Sequence, residues 1–514
     1  MNSFPRSMKK QKPQRKGFNT HQWLVLATVM IASFLGRLDG TIVNLALPKI
    51  ITDFGITVNQ ASWISTAYII ANAIFVPIFG KLGDMIGRKP LYLFGIVGFT
   101  LTSMLAGLSF NLPSLIFFRI LQAITVSIDY PIALSIIAFS FEDKAARAQA
   151  MGLWSAIFAG AAVFGPLLGG PLIDTFSWRS VFYINIPLGI LGTYLAATVI
   201  REPVQKIRAF KQFDVAGSLL LGVSLGTMVL VLDQGQTWGW GSNYSLISYI
   251  ISTIAMVLFI FVERRAEEPI VDLKFFKIVT FSAAIITSFI SFMGMIGGIF
   301  LIPIFAQNLL GYSVTKSGYI FIPMALALMV GAPFGARLST KIQPRLLTAF
   351  GMLVSAFVIG VLFADIDIKW TFWDFTWRLM IFAFGLGLGL SPLTNAATST
   401  VPLAEVGVAS SILALARNLS GAFGVAIFAT ILSNSTTAHM LALQTYSVLH
   451  TTDPNTLREV FGLMSMKANV LAFGTVFRTA GIFMALGSVA ALFVRESKRD
   501  FMPGKEMEPA MVEI

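Results

Sequence analysis

The chain has 514 residues, of which 56% are hydrophobic and 12% are charged, and its formal net charge is +12. Because soluble globular domains carry about 25% charged residues, this composition excludes a soluble protein and indicates an integral membrane protein. With no cysteine and only three histidines, the chain excludes disulfides and thiolate sites, so we expect no metal, no cofactor and no enzymatic activity.

The chain begins with a basic tail, residues 1–20, which contains lysines and arginines but no acidic residue. The positive-inside bias predicts that this tail lies in the cytoplasm. Much of the excess positive charge therefore precedes the first apolar run, and the basic balance does not call for nucleic acid as a partner.

About fourteen apolar runs of roughly 19 to 27 residues follow, each long enough to cross the hydrocarbon of a bilayer. They begin near Trp23, Ala61, Leu91, Pro113, Gln149, Trp178, Val215, Ser245, Phe281, Ser317, Leu346, Thr376, Gly407 and Phe473. Loops that alternate to the cytoplasmic side are richer in lysine and arginine than the others, which predicts that both termini are cytoplasmic.

Two polar stretches, residues 201–214 and 263–269, separate one pair of runs from six before it and six after it. This pattern suggests two bundles joined by an inserted hairpin. The predicted organisation is a basic cytoplasmic tail 1–20, a six-helix bundle 21–200, a linker and two-helix insert 201–275, a second six-helix bundle 276–495, and a cytoplasmic tail 496–514. The polar tract 434–460 is expected to lie outside, either as a loop or as a helix on the membrane surface.

Five ionisable residues fall inside the runs, where each costs at least about 2.5 to 3.5 kcal/mol on insertion scales and is a functional candidate. They are Arg37, Asp39, Arg119, Asp129 and Arg417. Residues two apart on a helix point to different sides, so Arg37 and Asp39 need separate partners. Counting 1.5 Å per residue from the outer ends of the runs, taken at Pro48 and Pro113, places Asp39 and Arg119 at about the same depth.

The short loop GKLGDMIGRKP, residues 80–90, resembles the loop between the second and third helices of major facilitator superfamily transporters. The positions in register are Gly80, Leu82, Asp84, Gly87, Arg88 and Lys89. Met85 stands where that family usually has arginine. The resemblance implies a latch on the cytoplasmic face that must break before the transporter opens inward, whereas charge alone would fit an ordinary basic loop.

Residues 151–174 place several glycines around a proline on one predicted helix. Small residues allow two helix backbones to approach closely, and a proline kinks a helix. Generic helix packing would account for some of these residues, but the pattern is similar to the fifth-helix motif of antiporters in the same superfamily, with Ala161 in place of one glycine. The matching positions are Gly152, Gly165, Pro166, Gly169 and Gly170. The resemblance implies export rather than uptake.

Further segments resemble the fourteen-helix drug/proton antiporters of that superfamily. They are residues 38–48, 213–222, 235–240, 301–323 and 408–432, and the last two contain Gln307 and Arg417. The resemblance implies an all-α membrane protein of the major facilitator fold, with two six-helix bundles and an inserted two-helix hairpin. The same group also exports lipids, metabolites and siderophores.

In that family the first and fourth helices line the central cavity, and an arginine followed by a glutamine on the fourth helix is associated with proton coupling. Arg119 and Gln122 match this pattern. We hypothesise that Asp39 faces Arg119 and that Asp39 or Asp129 takes up a proton from outside. A static pair that fixes helix register is the alternative. Arg37 and Asp129 are departures from the family pattern, and we hypothesise that they form a second ion pair.

These observations favour a secondary active transporter in the plasma membrane that exports amphipathic small molecules in exchange for protons. Its expected partners are the substrate, protons and membrane lipid, and we expect a monomer. The alternatives are a proton-coupled transporter dedicated to one metabolite, lipid or siderophore and, more distantly, a membrane sensor that does not transport. The candidate proton-coupling or substrate residues are Asp39, Arg119, Asp129, Arg37, Gln122, Gln307 and Arg417.

Overall fold

The fold is given by a computed structural model that describes residues 18–141, 143–201, 213–445 and 453–494. Within these ranges the regular elements are helices. This is expected in lipid, because a helix satisfies its backbone hydrogen bonds within one segment. Most of the predicted basic tail and of the first linker, and all of the C-terminal tail, lie outside the described residues.

The first bundle is formed by the described chain between residues 18 and 201. Its helices are α1 (Thr20–Phe54), α2 (Val58–Ile86), α3 (Arg88–Gly107), α4 (Leu112–Val126), α5 (Asp129–Ser140), α6 (Lys144–Thr175), α7 (Ser180–Tyr183) and α8 (Asn185–Val199). The fourth predicted span consists of α4 and α5, and the sixth consists of α7 and α8.

The break between α4 and α5 has a local cause in Pro131. This residue has no N–H to donate to the carbonyl of Ser127, so the α-helical hydrogen-bond ladder is interrupted there. The chain passes through Ser127 and Ile128 and resumes as α5 at Asp129. Asp129 therefore lies in the first turn of a helix, where a carboxylate interacts favourably with the helix dipole.

The insert and the second bundle complete the described chain. The insert is the hairpin α9 (Val215–Trp238) and α10 (Asn243–Glu263). The second bundle contains α11 (Val279–Asn308), α12 (Val314–Tyr319), α13 (Phe321–Leu338), α14 (Pro344–Phe357), α15 (Phe372–Ser399), α16 (Val406–Thr445) and α17 (Pro454–Ala491).

Thirteen helical stretches of the described chain are long and apolar enough to cross a membrane, judged by length and composition. Helix α6 is a further one, since its 32 residues extend about 48 Å at 1.5 Å per residue. All of the predicted apolar runs fall in these helices. The predicted fold class, an all-α membrane protein with about fourteen spans in two bundles and an inserted hairpin, is confirmed.

The outer end of α1 differs from the prediction, which placed it at Pro48. The helix passes through Pro48 and ends at Phe54, where Gly55 adopts a left-handed conformation with φ 64° and donates its N–H to the carbonyl of Ile51. A proline removes one hydrogen bond but does not necessarily end a helix, whereas a left-handed glycine satisfies the free carbonyls and does. Asp39 therefore lies about 22 Å from the end of α1 rather than near 13 Å.

Of the two forms predicted for residues 434–460, a loop or a surface helix, the described residues are largely helical. Helix α16 continues to Thr445 and α17 begins at Pro454, and residues 446–452 between them lie outside the described chain. The start of α17 is fixed by Asp453, whose carboxylate accepts hydrogen bonds from the backbone amides of Asn455 and Thr456. A polar composition alone did not exclude helix, because alanine, leucine and glutamine are good helix formers in water as well as in lipid.

The two bundles meet mainly along α2, α5 and α6 of the first and α13, α15 and α16 of the second, while α9 of the insert packs beside α2. We call the end at which α2 passes into α3 the latch end. Described hydrogen bonds between the bundles extend from the latch end to Asn72, in the middle of α2, which accepts from Asn418 at 3.2 Å. Among the described residues none is found beyond this level, so these bonds hold the bundles together over the latch-end half.

Candidate functional site

Asp39 and Arg119 form an ion pair inside the first bundle. An Nη1 hydrogen of Arg119, on α4, is donated to Oδ2 of Asp39, on α1, over 2.5 Å. Asp39 is 0% and Arg119 is 1% exposed. The structure thus brings together the two residues that depth counting had placed at one level, although both lie farther from the end of α1 than Pro48 had suggested.

Gln122 joins this pair from the next turn of α4. Its Nε2 donates to the other carboxylate oxygen of Asp39 at 2.9 Å, and its Oε1 accepts from Nη1 of Arg119 at 2.6 Å. The side chain amide thereby uses its donor on the acid and its acceptor on the base. This arrangement orients both charged groups.

Two further polar residues complete the network and were missed by the sequence analysis. Asn185, at the start of α8, donates to Asp39 at 3.0 Å, and Ser103 of α3 accepts from Gln122 at 2.7 Å. Both side chains are fully buried. The search of the sequence was limited to ionisable residues, but an uncharged amide inside an apolar run carries a similar signal, because it too needs a partner in lipid. We call Asp39, Arg119, Gln122, Asn185 and Ser103 the carboxylate network.

The guanidinium of Arg119 also lies over the ring of Tyr68, 3.9 Å from its centroid. The face of an aromatic ring attracts a cation, by about 2 kcal/mol or more when both are removed from water. Removing one partner of a buried ion pair costs roughly 3–5 kcal/mol, because the other charge is left uncompensated. The carboxylate network is therefore stable only while Asp39 is ionised or Arg119 finds another anion.

Arg37 has a different environment from Asp39, as helical geometry required. Its guanidinium lies over the ring of Phe158 on α6, 4.0 Å from the centroid, and the residue is half-buried. The predicted ion pair with Asp129 is not formed: Asp129 instead accepts a hydrogen bond from the hydroxyl of Tyr92, on α3, at 3.1 Å. The break before α5 places Asp129 beside α3, whereas Arg37 points towards α6, and the two charges interact only at longer range.

Arg417, on α16 of the second bundle, connects to the first bundle through neutral groups. Its Nη1 donates to the hydroxyl of Tyr130 at 2.6 Å, and its Nη2 donates to Oγ1 of Thr394 at 2.9 Å. Its guanidinium also lies 4.8 Å from the centroid of the Phe292 ring. Arg417 is 4% exposed, so this positive charge is buried at the interface without an acidic partner within 4 Å in the described chain.

Three rings of the first bundle lie between the two arginines. Tyr130 of α5 is in edge-to-face contact with Trp154 and Phe158 of α6, and the last two rings are stacked, with centroids 4.9 Å apart. The indole N–H of Trp154 donates to Ser33 at 2.8 Å, which fixes its plane. We call Tyr130, Trp154 and Phe158 the aromatic cluster.

Gln307 and Asp129 are predicted site residues that the structure brings neither to the carboxylate network nor to Arg417; Asp129 contacts Tyr92 instead. Gln307 lies next to the last residue of α11, and among the described residues no hydrogen bond links it to the carboxylate network or to Arg417. Its place in a segment that resembles the family was therefore a weaker guide than the buried charges were.

The predicted latch joins the two bundles at the latch end. Asp84 accepts a hydrogen bond from the backbone N–H of Val408, at the start of α16, at 3.0 Å. Nη2 of Arg88 donates to the carbonyl of Leu403 at 3.2 Å and lies 3.4 Å from Asp84, while Nε donates to Ser135 on α5. Asp84 and Arg88 thus hydrogen-bond to the N-terminal end of α16 and the turn before it. Free backbone N–H groups at this end of a helix attract a carboxylate.

Two glycines of the latch are required by its geometry. A Cβ built on Gly80 would lie 2.6 Å from Cβ of Ser411 and 2.8 Å from the carbonyl oxygen of Gly407, so no larger residue fits against α16. Gly87 has φ 103°, a conformation that side chains other than glycine rarely adopt. Lys89 turns away and donates to the carbonyl of Ala197 within its own bundle, at 2.7 Å.

The glycines of the predicted antiporter motif divide between two contacts. A Cβ on Gly152 would lie 2.7 Å from Cβ of Ala336, on α13 of the second bundle. Gly165 and Gly169 instead face α1, and a Cβ on Gly169 would lie 2.8 Å from the side chain of Ile42. A Cβ built on Gly170 would have no described atom from outside its own helix within 4 Å. Helix α6 passes through Pro166, whose side chain lies outside the described residues.

Comparison with known proteins agrees with this architecture. A family model for the Major Facilitator Superfamily matches residues 29–425. The chain is 31% identical to "Multidrug transporter protein MdtP" of Bacillus subtilis, with 95% of each chain covered. It is 31% identical to "Tetracenomycin C resistance and export protein" of Streptomyces glaucescens, over 81% of this chain and 77% of the relative.

A third relative is "Multidrug export protein EmrB" of Escherichia coli, which is 29% identical over 81% of each chain. Among solved structures, the human organic anion transporter MFSD10 superposes with a TM-score of 0.62 and covers 91% of this chain, at 13% identity, which shows a shared fold alone. The family match spans most of the described helices. The chain therefore belongs to the major facilitator superfamily, a family of membrane transporters rather than of enzymes.

Proposed function

We propose that the chain is a proton-driven exporter of amphipathic small molecules in the cell membrane, with both termini in the cytoplasm. The export direction is supported by relatives named for multidrug transport and export, at 31% and 29% identity. The orientation is supported by the basic tail that precedes α1. No phosphate-binding P-loop is found in the sequence, which favours an ion gradient over ATP as the energy source.

The observation that carries the proposal is the buried pair of Asp39 and Arg119. In the ionised state Asp39 accepts hydrogen bonds from Arg119, Gln122 and Asn185. Protonation removes its charge, so the bond to Arg119 loses its charge-assisted strength. A buried arginine without a counter-charge is unfavourable. Proton uptake therefore favours a conformer in which this network is opened, and proton release favours its return.

The latch supplies the second half of the proposed cycle. The latch forms hydrogen bonds to Val408 and Leu403 through charged side chains. Hydrogen bonds of this kind each contribute about 1.5–3 kcal/mol to stability. While the latch is closed, as in this structure, Asp39 exchanges protons with the outside. Breaking the latch opens the cytoplasmic side, where the proton leaves and the substrate enters.

The test is accumulation of fluorescent amphiphiles in everted membrane vesicles, with and without a collapsed proton gradient. We expect gradient-dependent accumulation by the wild type and its loss in Asp39→Asn. Asp53→Asn is the matched control, because Asp53 lies on the same helix but is exposed and paired with Trp178 and Arg179; it should transport normally.

Accumulation that persists without the gradient would rule out proton coupling, and normal gradient-driven accumulation by Asp39→Asn would rule out Asp39 as the proton carrier. The number of compounds that accumulate distinguishes multidrug-type efflux from the alternative. Accumulation of a single compound would identify a transporter dedicated to one metabolite, lipid or siderophore.

A further inference from the structure

Two arginines, Arg37 within the first bundle and Arg417 at the interface of the bundles, form no ion pair within 4 Å in the described chain. Asp39 neutralises Arg119, and Asp129 is held by Tyr92 on the α3 side. Arg37 makes no ion pair within 4 Å in the described chain, and Arg417 is bonded only to the neutral hydroxyls of Tyr130 and Thr394. Charges at bilayer depth ordinarily pair with one another or with backbone carbonyls, so this surplus of positive charge needs an explanation.

The two guanidinium groups are close enough to affect each other. Arg37 lies over Phe158, the Phe158 ring contacts Tyr130 with centroids 5.2 Å apart, and the Tyr130 hydroxyl accepts from Arg417, so two rings in contact connect the two guanidinium groups. Arg37 and Arg417 belong to different bundles. Their mutual repulsion therefore acts across the interface that has to open and close during transport, and an anion placed between them would remove it.

Both guanidinium groups retain unused donors. The planar face of Arg37 lies over Phe158, which leaves its N–H edge for a ligand. Arg417 has a buried Nε without a hydrogen-bond partner in the described chain. The fork of N–H donors in a guanidinium matches the two oxygens of a carboxylate, and such charge-assisted bonds are about twice as strong as neutral ones.

The aromatic cluster supplies the apolar part of the same site. Tyr130 touches both Arg417, through its hydroxyl, and Phe158, through its ring, and Phe158 carries Arg37. The rings thus connect the two arginines. Flat aromatic bodies gain about 0.5–1.5 kcal/mol from stacking on such rings beyond the burial of their surface.

We propose that Arg37 and Arg417, together with the aromatic cluster, bind the anionic head and the apolar body of the transported molecule, so that the substrate class is amphipathic organic anions. A carboxylate or sulfonate takes the hydrogen bond of Arg417 that Tyr130 accepts in this structure and reaches Arg37 on the other side. A ring or alkyl body packs against Phe158 and Tyr130, while Trp154, which is 0% exposed, stacks on Phe158 inside the first bundle. This inference rests on the proposed transport function, which it deepens.

A lipophilic cation is disfavoured at this position, because two guanidinium groups repel it while only one carboxylate, Asp129, is near. An inorganic anion such as chloride gains the same charge interaction but leaves the aromatic cluster unused. The head-group charge and the apolar body of the ligand can therefore be tested separately.

The experiment measures binding to the purified full chain in detergent, without a gradient, by fluorescence of a pyrene carboxylate and of the corresponding pyrene amine. We expect the carboxylate to bind the wild type and the amine to bind at least tenfold more weakly. Arg37→Gln and Arg417→Gln should each weaken carboxylate binding about tenfold or more, since a hydrogen bond to a charged group is lost. Arg417→Lys, which keeps the charge, should recover part of the loss.

The matched control is Arg179→Gln. Arg179 also stacks on an aromatic ring, with its guanidinium 4.3 Å from the centroid of Trp178, but it is exposed at the end of the bundle; its replacement should leave carboxylate binding unchanged. Arg37 makes no hydrogen bond through its side chain in the described chain, so Arg37→Gln is not expected to impair folding. Circular dichroism and size-exclusion profiles check this for each variant.

Unchanged carboxylate binding in both glutamine variants, or tighter binding of the amine than of the carboxylate by the wild type, would overturn the proposal. Competition by chloride as strong as competition by a fatty acid would also overturn it, since the apolar body would then contribute nothing. Gradient-driven accumulation by the wild type separates this inference from the proposed function, because binding in detergent is measured without a gradient. Wild-type binding without gradient-driven accumulation would reject the proton-driven function and leave the binding site standing.

Discussion

Replacing Asp39 by asparagine tests how much the carboxylate network contributes to stability. The carboxylate accepts three hydrogen bonds, from Arg119 at 2.5 Å, Gln122 at 2.9 Å and Asn185 at 3.0 Å. Asparagine removes the charge and replaces one acceptor oxygen by an NH2 donor. That NH2 group then faces at least one of the N–H groups of Arg119, Gln122 or Asn185, which cannot accept a hydrogen bond from it. Since Arg119 is 1% exposed, its charge is left without a partner, and we expect the free energy of unfolding to fall by about 3–5 kcal/mol.

A double-mutant cycle isolates the interaction of the pair. Arg119→Gln alone should also destabilise, because it leaves the carboxylate unpaired, whereas the double variant Asp39→Asn/Arg119→Gln should lose less than the sum of the two single losses. We expect a coupling free energy of about 2–3 kcal/mol, within the range found for residues of one hydrogen-bond network. Unfolding by SDS in mixed micelles, followed by circular dichroism, provides the measurement.

The same bundle contains a matched exposed pair. Asp53, also on α1, lies 3.1 Å from Arg179, and the two side chains are 47% and 34% exposed. Exposed pairs typically contribute about 0.2–1 kcal/mol, so the cycle Asp53→Asn/Arg179→Gln should give a coupling of at most about 1 kcal/mol. Equal couplings for the buried and the exposed pair would refute the reasoning, because burial would then have no effect on the strength of the Asp39 pair.

The latch and the cap of α17 give two more predictions. The chain has no cysteine, and the side chains of Asn72 and Asn418 hydrogen-bond at 3.2 Å, so a short bifunctional reagent should crosslink Asn72→Cys/Asn418→Cys. Adding Gly80→Val, whose side chain would collide with α16, should lower the crosslinking yield severalfold. An unchanged yield would show that the bundles close without the latch. Hydrogen bonds from Thr456 and Asn455 lower the pKa of Asp453, so its capping contribution is present above the ordinary pKa of an aspartate and is lost as the pH falls through the lowered value. Amide exchange at the start of α17 should therefore become faster relative to Asp453→Asn as the pH is lowered to about 3, and an unchanged ratio would contradict it.

Much of the fold was predictable from the sequence, because hydrophobicity and helix length are local properties. The apolar runs predicted the membrane-spanning helices and their approximate number, while the bounds of the insert, predicted from the two polar stretches, stay a prediction. The ends of the helices were harder to predict: a proline at position 48 predicts an end to α1, but the helix continues to Phe54. Polar residues or a proline can interrupt an apolar run without ending the helix, so the end of the run does not show where the helix ends.

Within the candidate site, the position of a residue along its helix was predictable, but the direction in which its side chain points was not. The count of residues along two helices brought Asp39 to the level of Arg119, and the pair is present. The same reasoning failed for Arg37 and Asp129, because a partner depends on the rotation of each helix about its axis. Asp129 instead contacts Tyr92 on α3, and no periodicity in the sequence indicates that direction.

The helices that hold each group of residues have a mechanical consequence. The carboxylate network uses α1, α3, α4 and α8, all from one bundle, so a rotation of one bundle against the other would move it as a unit. The bond between Tyr130 and Arg417 crosses from one bundle to the other, and such a rotation would stretch it. Asp39 and Arg37 are separated on α1 by about 3 Å of rise and about 200° of turn. Any small rotation of α1 at Asp39 therefore displaces the guanidinium of Arg37, so this one helix transmits motion between the two groups without a further contact.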